Sequence, residues 1–76
     1  MDIQKLRSKM VLHGDTNITL SKAIGISPQR FSAKINETNG AEFKQKEIAK
    51  IKTRYQLTSE EIDEIFFGKI FAIKVS

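Results

Sequence analysis

The chain has no cysteine and no tryptophan, and among its 76 residues there is one proline, one tyrosine and one histidine. Without thiols there can be no disulfide staple, thiolate nucleophile or Cys-ligated zinc. A lone His13 leaves nothing from which to assemble a histidine metal cluster or a Ser-His-Asp triad. Long apolar runs are missing too. The longest, Ile70 to Ile73, falls far short of the roughly 20 residues of a membrane span. Met1 is followed by acidic Asp2 rather than by an apolar stretch, so a secretory signal is not expected. These absences point to a small cytoplasmic domain with no metal, no cofactor and no membrane contact, and they favour binding over catalysis.

What is present is basic and ordinary in its apolar content. At 39% hydrophobic and 29% charged residues the composition is that of a folded globular chain. The length allows one domain with a core near the lower limit for independent folding. There are 13 Lys+Arg against 9 Asp+Glu, a formal net charge of +4, and the excess is unevenly placed. Lys44, Lys46, Lys50, Lys52 and Arg54 crowd one stretch, whereas Glu60, Glu61, Asp63 and Glu64 follow it. A molecule basic on one side and acidic at one end is oriented by the field of a polyanion. A charge run of this kind is also compatible with a merely solvated face.

Periodicity and capping signals predict a string of short helices. Ile3, Leu6, Met10 and Val11 recur at helical spacing, and Gly14 can end that helix in the left-handed region. Thr16 is a good N-cap for a second helix carrying Leu20, Ala23 and Ile24 on one face. Gly25 breaks it. Ser27-Pro28 starts a third helix, to about Asn36, with Phe31 and Ile35 stacked on its buried side. Residues 37–40 read as a loop. A fourth helix, about Lys44 to Arg54, turns Ile48, Ile51 and Tyr55 inward and its lysines outward. Thr58 and Glu61 form a capping box for the fifth, with Leu57 and Ile62 placed as a hydrophobic staple. The last stretch, Ile70 to Val75, is β-branched and aromatic, and suits a short strand that needs a partner for its edges. The expected organisation is therefore an all-α domain over residues 1–67 and a tail over residues 68–76.

Thr16 to Asn36 is the segment with a functional pattern. Two helices of about eight residues joined by a tight turn at Gly25-Ile26-Ser27 have the layout of a helix-turn-helix. Ser21 is small where the helices approach, Gly25 permits a positive φ, and Ile26 and Phe31 anchor the turn and the second helix. That leaves Pro28, Gln29, Ser32, Ala33 and Asn36 outward, free to enter a major groove. Inside such a motif Gln29 can bond an adenine edge bidentately, and the Ala33 methyl can touch a thymine methyl. The blander reading makes Gln29 and Ser32 ordinary surface residues. Thr16 can cap its helix and bond a phosphate at once. Asp63 and Glu64 are no catalytic pair, because adjacent helical residues point about 100° apart.

Gly14-Asp15-Thr16-Asn17, Leu20 through Ser27 and Phe31 through Asn36 together resemble the Cro/CI-type (lambda repressor-like) helix-turn-helix family. The likeness extends from about Leu6 to Phe67, where Glu61 to Phe67 resembles the fifth helix of small phage Cro-like proteins. The resemblance implies a five-helix DNA-binding regulator, usually a homodimer on a palindromic operator in double-stranded DNA, here a phage or prophage repressor in a bacterial cytoplasm. It implies base contacts from Pro28, Gln29, Arg30, Ser32 and Ala33. Asn17 stands where the family usually has Gln. Phosphate contacts would fall to Thr16, Asn17, Lys34, Asn36, Lys44 and Lys46. Two departures stand out: Pro28 replaces a commoner polar residue, and Lys34 replaces an apolar one, with Ile35 taking the core role. A second function stays open, in which the same fold binds a partner repressor protein. Pro28 and Ala33 make the third helix less polar than a typical reader. A dimer surface is expected from Phe67 with Ile70, Phe71, Ile73 and Val75, through pairing of the tail with its symmetry mate. The alternative is a tail folded back onto its own domain.

Overall fold

Helix boundaries in the computed structural model, which describes residues 1–67, follow the capping chemistry. Five α-helices are formed: α1 over Ile3–Leu12, α2 over Asn17–Ile24, α3 over Pro28–Ile35, α4 over Gln45–Tyr55 and α5 over Ser59–Phe66. A 3-10 turn at Thr38–Gly40 separates α3 from α4. No strand occurs among the described residues, and the tail residues Ile70, Phe71, Ile73 and Val75 lie outside them. Among the described residues no helix is long and apolar enough to cross a membrane.

Each helix start satisfies free amides with a nearby side chain. The Asp2 carboxylate accepts the Lys5 amide at 3.1 Å. Thr16 and Thr19 exchange bonds in a capping box, and the Ser27 hydroxyl accepts the Arg30 amide at 3.2 Å with Pro28 in the first turn. The Glu47 carboxylate reaches back to the Lys44 amide at 2.9 Å. The expected Thr58–Glu61 box closes the start of α5, with bonds of 3.1 and 2.9 Å. Between α2 and α3 the chain reverses at Gly25, whose φ of +81° is costly for any residue bearing a Cβ. The Ile26 amide then bonds the Ser21 carbonyl at 3.0 Å and seals the end of α2.

The core draws on every helix: Leu6 and Met10, Leu20 and Ile24, Phe31 and Ile35, Ile51 and Tyr55, Ile62 and Ile65, with Leu57 from the α4–α5 link. Burial of each such large side chain contributes about 1.5–3 kcal/mol before chain entropy is counted. Ser21 is fully buried beneath α2, and its hydroxyl donates to the Ile18 carbonyl at 2.8 Å, so a small polar residue sits there without an orphaned group. Phe31, Phe43 and Phe66 meet edge to face, with centroids 5.6 and 5.9 Å apart, and this aromatic row joins α3 to α5.

Some expectations need correction. Val11 is 77% exposed, because α1 turns only Leu6 and Met10 fully into the core. Ala23 is likewise exposed, so the buried apolar residues of α2 are Leu20 and Ile24. Asn36 caps α3 instead of extending it, and α4 begins and ends one residue later than its lysines and isoleucines suggest.

Candidate nucleic-acid interface

The α2–α3 pair holds most of the residues singled out above. Phe31 and Ile35 are buried, which fixes the rotation of α3 and leaves Pro28, Gln29 and Arg30 exposed at its start. Ser32 and Ala33 are half-buried on its flank, and Asn36 is exposed at its end. Thr16 is exposed at the start of α2 beside half-buried Asn17. The Thr16 backbone N–H donates to the Thr19 hydroxyl at 2.8 Å, so the cap is closed on both sides. Lys44 and Lys46 are exposed around the first turn of α4.

Lys34 is the exception. Its ammonium donates to both Glu47 carboxylate oxygens, at 2.6 and 2.8 Å, with the two side chains 11% and 9% exposed. Burial opposes ionisation of Glu47, but the Lys34 ammonium and the Lys44 amide outweigh it and hold the carboxyl below its ordinary range. Two of its three donors are thus committed to Glu47, and the side chain is 11% exposed. Lys34 is thus the clasp between the end of α3 and the start of α4, not an outward-facing cation like Lys44 and Lys46.

A second clasp orders the start of α2. Asp15, just before the Thr16 cap, has a side chain only 4% exposed. Its carboxylate accepts two bonds from the Arg54 guanidinium at 2.7 and 2.8 Å, one from the Tyr55 hydroxyl at 2.6 Å and one from the Thr19 hydroxyl at 2.8 Å. The fork–fork pairing with Arg54, reinforced by the two hydroxyls, holds the Asp15 carboxyl well below the usual carboxylate range despite its burial. Burial and the bond to Asp15 push the Tyr55 hydroxyl above its ordinary value. His13 stacks on the Tyr55 ring at 4.6 Å, closing the cluster from the end of α1. The end of α4 is thereby locked to the start of α2.

The distribution of ion pairs reshapes the charged surface. Lys9 pairs with Glu61 at 2.6 Å and Lys5 pairs with Glu64, so the acidic α5 neutralises two of the three basic residues of α1. In contrast, Arg7, Lys22, Arg30, Lys44, Lys46, Lys50 and Lys52 enter no ion pair among the described residues. All but Arg7, on α1, belong to α2–α4 or their links. Lys50 was not singled out by sequence. A Cβ built on Gly25 would lie 3.5 Å from its Nζ, which sets this ammonium beside the α2–α3 turn. Only its position in a lysine run signalled it beforehand.

The geometry defines an all-α, five-helix domain in which six of the seven unpaired basic residues described belong to α2–α4 or their links, the seventh being Arg7 on α1. Comparison with protein families, curated proteins and solved structures finds no match for the chain.

Proposed function

We propose that the chain is a sequence-specific DNA-binding regulator with a lambda repressor-like helix-turn-helix fold, acting as a Cro-like phage or prophage repressor and not as an enzyme. The observation that carries this reading is the coincidence of two features. The outward start of α3, with Pro28, Gln29 and Arg30, lies in the same part of the chain as all but one, Arg7, of the described cations left without carboxylate partners. In this reading α3 enters the major groove, Gln29 reads an adenine edge, and Arg30, Ser32 and Ala33 complete the base contacts. Thr16, Asn17, Asn36, Lys44 and Lys46 hold phosphates, joined by Lys50 beside the turn. Two copies on a pseudo-palindromic operator would place their α3 helices about 34–36 Å apart along one face of the duplex. Phe67, 44% exposed at the end of α5, is the described part of the surface assigned to that homodimer.

Selection of bound sites from random DNA at two salt concentrations tests this reading, because a palindromic consensus would report class, symmetry and half-site spacing together. With the operator in hand, Gln29→Ala is expected to weaken specific binding by about 1–3 kcal/mol and leave random-sequence binding nearly unchanged. Equal losses on both DNAs would remove Gln29 from the base-reading role. A second reading, binding of a partner repressor protein, draws on the exposed apolar side chains of Ile18, 58% exposed, Val11 and Leu12. Absence of any salt-dependent retention on DNA would put that reading first.

A further inference from the structure

An apolar groove of about 270 Å³ opens between the 3-10 turn and the end of α5. Its apolar walls are Phe43, Ile48, Phe66 and Phe67, with Met1 at one side, and its charged lining residues are Lys34, Glu37 and Glu42. This volume is nearly twice that of the ~150 Å³ cavity that accepts a benzene ring, enough for two apolar side chains. We propose that the groove seats this chain's own C-terminal segment, residues 68–76, through Phe71 and Ile73.

Four features select this occupant. Phe67 is both a wall of the groove and the residue from which the segment departs, so the segment starts at the rim. In an extended chain at about 3.3 Å per residue, the side chains of residues 71 and 73 fall on one face, a spacing that suits adjacent halves of one groove. Lys69 and Lys74 flank that pair and match Glu42, the lining charge without an ion-pair partner among the described residues, whereas Lys34 is paired with Glu47 and Glu37 with the amino terminus, at 3.5 Å. A tethered segment also acts at an effective concentration of order millimolar, which outcompetes a second copy at micromolar concentration. Docked in this way, Phe71 and Ile73 are committed to their own domain and only the backbone edge of the tail remains for pairing with a symmetry mate. The proposal does not rest on DNA binding.

The test uses the full chain, half of it isotope-labelled and mixed with unlabelled protein, observed by NMR. Contacts from Phe71 and Ile73 to Phe43 and Ile48 within one molecule are expected. Phe71→Asp should abolish them, shift the Phe43 and Ile48 resonances and lower the melting temperature by several degrees. Contacts seen only between labelled and unlabelled molecules would give the groove to a second copy and overturn the proposal. An absence of contacts, or unchanged Phe43 and Ile48 resonances in Phe71→Asp, would overturn it as well.

Discussion

Asp15 ties the α1–α2 link, α2 and α4 together through one carboxylate, holding Arg54, Tyr55 and Thr19 at once. Its carboxyl binds a proton more weakly in the folded chain than in the unfolded one, where its value is near 3.8. The stabilisation is therefore fully present above that value and is lost as acid drives the carboxyl toward its lower folded range. Urea unfolding at several pH values should show stability level near neutrality and falling below about pH 5. Asp15→Asn should lose about 1–3 kcal/mol at pH 7, since bonds to a charged acceptor are replaced by weaker ones, and should flatten the acid limb. An unchanged acid limb would show that other carboxylates govern it. Lys34 gives the complementary case. Lys34→Met leaves the Glu47 charge buried without its cation and is expected to destabilise the fold by about 3 kcal/mol. DNA affinity per folded molecule should stay the same, which separates a clasp from a phosphate contact.

At the scale of the helix, the caps divide into those with one duty and those assigned two. Thr58 only closes the start of the acidic α5, so Thr58→Ala should cost about 1 kcal/mol, or about 4–8 °C in melting temperature for a domain of this size. DNA binding should not respond. Thr16→Ala should cost a similar amount of stability and weaken binding on specific and random DNA alike, because a phosphate contact carries no sequence information. A Thr16→Ala variant with wild-type affinity would leave Thr16 as a cap alone. The helices themselves were legible because their signals are local: Ser27-Pro28, the Thr58–Glu61 box and the Gly25 break each act within one turn of chain. The misjudged positions were those where spacing permits burial but the neighbouring helix does not reach, as with Val11 and Ala23.

For the whole molecule, the pairing of charges matters more than their sum. The net charge of +4 counts Lys5, Lys9, Lys34 and Arg54 equally with Lys46 and Lys50, although the first four are bound to carboxylates. Salt titrations of DNA affinity are expected to separate the two groups. Lys44→Ala, Lys46→Ala and Lys50→Ala should each reduce the salt slope by about 1 if that ammonium displaces a counterion, whereas Lys5→Ala should leave it unchanged. A slope that falls equally for Lys5→Ala would show that the α1–α5 pairs open on DNA.

The sequence by itself determined the helix order, the turn at Gly25, the buried pair Phe31 and Ile35, and the polarity of the chain from basic α4 to acidic α5. Those features depend on φ preferences, capping and periodicity, all expressed within a few residues. Only the tertiary structure decided which charges remain free. Arg54 lies 39 residues from Asp15, Lys9 lies 52 from Glu61, and Lys34 lies 13 from Glu47. Ion pairing depends on which helix faces which, and that is set by packing of the common core. No local pattern in the chain records it.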